Sequence, residues 1–320
     1  MVRNLRQALT ETLFNAASGG VLSRIDSRGH RGGDLYDWSL KPHPPAPGSS
    51  LHNDDVEFAA AYPLLLCGTK AVTEQTIYPV MTAAENLHTA GVLIRRRRSH
   101  RQPHLSEVLG ICRVAMECAA ASIWMLSGED RAERLDRCLR IELEQLRKQS
   151  SFLKLSAKAE AAADSRYSAD LRKMNAAHRE KFNAMLSRSE SAYPTNRPPQ
   201  FSQLVEYSAK WIDAHVPAHD DGEISESSME HSSTLFYSYG SSFIHGYKWL
   251  SDYSRDGAIW PMVADALAVS INMTECAACL FESAALAPGT SPDIEHFPKR
   301  FTPTVATWST ELFGSPPARS

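Results

Sequence analysis

Apolar positions along this chain recur at steps of three and four, the spacing of one helical face. No stretch sustains the two-residue alternation of a half-buried strand. The clearest run extends from Ser106, with Glu107 behind it, to Leu126. Val108, Leu109, Ile111, Cys112, Ala115, Met116, Ala119, Ile123 and Trp124 give it a broad apolar face, and Ser127-Gly128 ends it. The same reasoning predicts helices near 53–98, 130–150, 201–214, 229–254 and 261–286. The first of these starts at the N-cap signal Asn53-Asp54-Asp55, is broken at Pro63 and is interrupted or restarted at Pro79. The expected fold class is all-α, a helical bundle with a long charged helical arm and irregular N- and C-terminal segments.

The arm rests on a seam. Leu139, Leu143, Leu146, Ser150, Leu153, Ala157, Glu160, Asp164, Tyr167, Leu171, Met174 and His178 alternate steps of four and three, a heptad-like, coiled-coil pattern. One long arm fits it, and so do two antiparallel helices turning near Asp164-Ser165. No Gly or Pro lies between Ser150 and Ala192, which favours a protrusion near 140–192 with little punctuation. At the N-terminus, Leu5, Leu9 and Leu13 predict a helix over 2–18, stopped by Gly19-Gly20. The glycines and prolines from Ser27 to Ser50 predict a linker or wrapping arm docked by Asp37-Trp38. Pro288, Pro292, Pro298, Pro303, Pro316 and Pro317 predict an irregular tail. The expected division is 1–50, 51–287 and 288–320.

Composition adds bounds. The chain has 320 residues, 43% of them hydrophobic, enough for a core of ordinary size. A net charge of -3 gives no bulk electrostatic case for nucleic acid. Six scattered cysteines and an N-terminus without an apolar signal core read as reducing cytoplasm. No run of 18 apolar residues appears, so no membrane-spanning helix is expected.

Candidate chemistry concentrates in Tyr237–Trp249, where Ser238, Ser241, Ser242 and His245 fall on neighbouring turns. Arg113 and Glu117 lie four apart on an otherwise apolar helix. If packing gathers them, His88, Arg113, Glu117 and His245 form a polar core cluster for a small anion or for acid/base work, with Ser241 and Ser242 beside it. A satisfied structural network is the simpler reading. Arg95, Arg96, Arg97 and Arg98 form the strongest charge run, suited to phosphates of RNA or to a helix C-terminus. His215 and His219, with Asp220, Asp221, Glu226, Glu230 and His231, have ingredients of a metal site, but Pro217 disturbs their spacing. Cys276 and Cys279 sit among Ala and Leu and read as buried small hydrophobes. Phosphate-loop, nucleophile-elbow and zinc-protease motifs are missing, so no cofactor or metal is expected.

Two stretches carry a resemblance. Arg113…Glu117-Cys118-Ala119-Ala120-Ala121…Trp124-Met125-Leu126, followed by the Arg-rich stretch 131–140, resembles a group of uncharacterised helical proteins of actinobacteria and their phages. Tyr239-Gly240-Ser241-Ser242-Phe243-Ile244-His245-Gly246…Trp249 is similar to that group's Gly-Ser-x-x-x-His-Gly segment. The resemblance spans about residues 80–285 and implies no activity. A looser likeness is to the HEPN helical nucleases of defence systems, which place Arg and His four to six residues apart on one helix. Arg172 and His178, and Arg98 and His104, have that spacing; no arginine occupies 238–240 before His245. The function expected is a non-enzymatic interaction or regulatory scaffold with a protein partner or a second copy of itself. The competing expectation is an RNA-directed nuclease.

Overall fold

The computed structural model describes residues 2–65, 68–99, 106–162, 168–249, 259–292 and 295–314, with side chains from residue 20 onward except over 97–106. All regular structure among them is helical. The elements are α1 (Val2–Ser39), α2 (Ser50–Ala61), α3 (Ala71–Ser99), α4 (Ser106–Leu126), α5 (Arg131–Ala162) and α6 (Ala169–Ala192), then α7 (Phe201–Ala214), α8 (Met229–Ile244), α9 (Ile259–Ala285), a 3-10 turn Lys299–Phe301, and α10 (Thr302–Glu311).

α4 and α9 form the centre. α4 packs on α3, α7, α8 and α9, and α9 also receives α1 and α10. Hydroxyls tie the helices together: Ser122 donates to the Thr76 carbonyl, Ser208 to that of Ala120 and Ser270 to that of Cys112. α4 and α9 are each long and apolar enough to cross a membrane, but the apolar window of α9 is 89% buried inside the protein, the setting of a core helix. Burial raises the Cys276 and Cys279 thiols well above their ordinary range, consistent with inert core residues.

Three expectations need correction. The Gly-rich stretch after Ser27 is helical as far as Ser39, so residues 1–50 are chiefly one long helix. Its glycines serve packing: Gly29 lies against Gly91, and a β-carbon on Gly32 would stand 3.2 Å from the Leu87 carbonyl. The contacts that follow from this close approach outweigh the propensity cost of about 1 kcal/mol per glycine. In this stretch only residues 40–49 lie outside a helix; of the expected docking pair, the Trp38 ring is buried while Asp37 is exposed. The Pro-rich tail is also ordered in part. Pro303 sits in the first turn of α10, where its missing N–H costs nothing, and Phe301, Val305 and Trp308 are buried. Finally, Pro79 lies inside α3 without ending it.

The arm is a hairpin. Arg147 pairs with Glu190, Ser150 donates to Asn183, and Glu160 accepts from Asn175 and Arg179, so α5 and α6 run antiparallel. The expected turn at Asp164-Ser165 lies outside the described residues. Leu139, Leu143, Ser150 and Glu160 keep the expected seam. On α6 the inward positions are Phe182, Leu186 and Ser189, whereas Leu171, Met174 and His178 are exposed. Reversing the chain resets the helical phase, so a single heptad count cannot run through the turn.

α8 ends at Ile244, ten residues short of the expected limit, with His245 as C-cap and Gly246 at φ +65°. The small residues before that end let α8 approach α4. A β-carbon on Gly240 would meet the Leu109 carbonyl oxygen at 2.7 Å and the Arg113 β-carbon at 2.8 Å. Gly240→Val is therefore expected to lower stability by about 1–3 kcal/mol in urea unfolding. An unchanged midpoint would mean the two helices are not in that contact.

Candidate functional site

α9 contains carboxylates where its pattern is wholly apolar. Glu275 and Glu282, two turns apart, are 0% and 2% exposed. An unpaired buried charge is very costly, so each must find partners. Those of Glu275 come from three distant parts of the chain. Arg31 of α1 grips it with two bonds, Nε to Oε1 at 3.0 Å and Nη2 to Oε2 at 2.7 Å. Arg300 of the 3-10 turn donates to Oε1. His219 Nε2 lies 3.4 Å from Oε2, while its Nδ1 is 2.7 Å from the Thr304 hydroxyl.

The cluster continues through Arg31, which also donates to Glu223 at 2.8 Å and to the Asn272 side-chain amide oxygen Oδ1 at 2.5 Å. Glu223 accepts from Arg28 as well, at 2.5 Å, and Arg28 Nη1 reaches the Ala264 carbonyl at 2.6 Å. Arg28 and Arg31 are three residues apart and share one face of α1. Three arginines thus meet Glu223, Glu275 and Asp34, the last 3.3 Å from Arg300. Burial pushes the Glu275 carboxyl up, but the hydrogen bonds from His219 and Arg31 and the charges of Arg31 and Arg300 outweigh it and hold it at about 2. Burial likewise raises Glu223, and Arg28 and Arg31 bring it below the usual range.

Glu282 is held separately. Trp38 Nε1 donates to it at 2.6 Å, His43 Nδ1 lies at 3.0 Å, and the His43 ring lies against His296, tilted by 46°, with centroids 3.8 Å apart. Beside these clusters lie two cavities. One of ≈ 60 Å³ adjoins Arg31, His219 and Glu275; the other, of ≈ 510 Å³, is an open groove between the end of α1 and residues 295–300. Arg300 lines both.

The residues singled out from sequence are only partly brought together. Arg113 and Glu117 pair at 2.8 Å, and the Tyr237 hydroxyl donates to Glu117 at 2.9 Å, with Arg113 over its ring. His245 does not join them. As the C-cap of α8 it is exposed, near Tyr247, because Gly246 turns the chain outward at the surface. His88 stacks instead on Tyr36 of α1, centroids 4.4 Å apart. Ser242 is buried and Ser241 half-buried at the α4 contact. Arg95 and Arg96 are exposed, with Arg95 Nη1 beside Gly91 and Gly29; the side chains of Arg97 and Arg98 lie outside the described residues. His215 stacks on Trp211 and His231 bonds to Ser228, so the histidines near 215–231 point apart. Among the described residues no group of three or more His, Cys, Asp or Glu could hold a metal ion.

The Arg28–Arg31–Glu275 cluster was absent from the sequence reading. A signal existed: two glutamates inside the most apolar helix of the chain require buried cations. No family model, curated protein or solved structure matches the chain.

Proposed function

We propose that this protein is a helical scaffold that works by association, its hairpin joining it to a second copy of itself. The observation that carries the reading is the distal half of the α5–α6 hairpin. Beyond Ser150, the hydrogen bonds described for α5 stay within it or go to α6. On this projecting part Phe152, Leu155 and Met174 are 66%, 64% and 61% exposed. Phe152 and Leu155 are one turn apart on the side of α5 away from its partner, so two hairpins related by a two-fold axis can bury them reciprocally. The saturated clusters of the body support binding over catalysis. Glu275 and Glu117 are each held by cations or hydroxyls, which leaves neither poised as a general base. The nuclease reading asks for the basic run at 95–98 and His245 in one cleft; His245 is exposed at the end of α8, apart from the Arg113–Glu117 pair.

Light scattering coupled to size exclusion tests the proposal. The intact protein is expected to be a dimer, and Phe152→Glu with Leu155→Glu a monomer of unchanged helicity. An intact protein that is monomeric at about 100 μM, well above the micromolar range of weak complexes, overturns it.

A further inference from the structure

The groove at the end of α1 is lined by charged side chains, some of which have no ion-pair partner among the described residues. Asp34 and Asp37, from successive turns of α1, and Lys41, in the bend just past its end, line one wall, and residues 295–300 form the other. Two contacts fix the direction of that second wall. Arg300 reaches Asp34 at 3.3 Å, and the His296 ring lies tilted against His43 at 3.8 Å. The segment therefore runs antiparallel to α1, with Lys299 towards Asp34 and Glu295 towards Lys41. The buried rings of Trp38 and Phe297 form the floor. The volume of ≈ 510 Å³ falls in the range of small-molecule sites.

Some of these charges are already committed. Arg300 serves Glu275 and Asp34. Asp37 and Lys41 are not. Asp37 lies in the last turn of α1 and Lys41 two residues beyond its end; among the described residues neither has an ion-pair partner, and nor does Lys299. One uncommitted carboxylate and two uncommitted ammonium groups thus surround an aromatic floor.

We propose that this groove binds an acidic α-amino acid. The α-ammonium pairs with Asp37, the α-carboxylate with Lys41 just past the end of α1, and the side-chain carboxylate extends along the floor to Lys299. The site is separate from the hairpin, so its failure leaves the association proposal standing.

Isothermal titration with L-glutamate as the probe tests it. Saturable binding is expected, weakened about tenfold or more for N-acetyl-L-glutamate, which lacks the ammonium, and for L-glutamine, which lacks the second carboxylate, as for loss of one charge-assisted bond. Asp37→Asn should abolish the preference over the acetylated form, and Lys299→Met the preference over glutamine. All these positions are exposed, so circular dichroism should show unchanged helicity. The proposal is overturned if L-glutamate fails to saturate at about 10 mM, weaker than the millimolar end of the affinity scale, or if both variants bind all three compounds as the parent does. It is overturned equally if inorganic phosphate binds at these lysines while glutamate does not.

Discussion

Glu275→Gln is expected to lower the unfolding free energy by about 3–5 kcal/mol at neutral pH, the cost of breaking a buried pair from one side. The neutral amide leaves Arg31 with its bond to Glu223 but no charge on α9, and Arg300 with Asp34 alone. Urea unfolding followed by circular dichroism measures it; a loss below about 1 kcal/mol, the value of an exposed pair, would show that water reaches the cluster. The same carboxylate makes stability depend on pH. Its folded pKa, about 2, lies below its ordinary value of 4.5, so its contribution is complete above 4.5 and is lost as the pH falls through the folded value. The sum is roughly 3 kcal/mol. Between about pH 4.5 and 2 the parent should therefore lose stability more steeply than Glu275→Gln.

Trp308→Ala is the second large effect, about 3–5 kcal/mol, the usual range for deleting a buried aromatic. Trp308 is 3% exposed and meets Trp211 edge-on, centroids 5.3 Å apart. Cutting the chain after Ala287 goes further. It removes Phe297, Phe301, Val305 and Trp308 together and uncovers the neighbouring face of α9. Each buried side chain of this size contributes roughly 1.5–3 kcal/mol, so the sum, about 6–12 kcal/mol, is comparable to the whole stability of an ordinary domain. The shortened protein is expected to lose its near-ultraviolet circular dichroism and cooperative melting. A truncated protein that melts like the parent would make α10 an ornament rather than part of the core.

The sequence was readable where local and tertiary preferences agreed. α4, α7 and the Leu139–Leu143 seam follow from periodicity because the same apolar face that repeats is the one buried. It misled where packing overrides propensity. The glycines at 29, 32 and 33 read as punctuation, yet Gly29 and Gly32 are contact points for α3, a role that shows only when Gly91 and Leu87 lie opposite. Pro303 read as disorder although it occupies the one part of a helix that tolerates it. His245 read as buried because Gly246 was not taken as a C-terminal stop. For the charge cluster, Arg31 and Glu275 were each visible, but nothing local links residues so far apart. Helix pairs in contact sequence order leave readable traces; a bond between the two ends of the fold does not.

That separation has a consequence for how the chain is made. Arg31 and Glu275 are 244 residues apart, and a ribosome adding ~5–20 residues per second delivers the second about 12–50 s after the first. During that interval the arginines of α1 have no carboxylate from α9 to hold them, and the groove between α3 and the missing helix stays open. The centre of the molecule closes only once α9 has emerged, so the apolar faces of the earlier helices stay open for that interval.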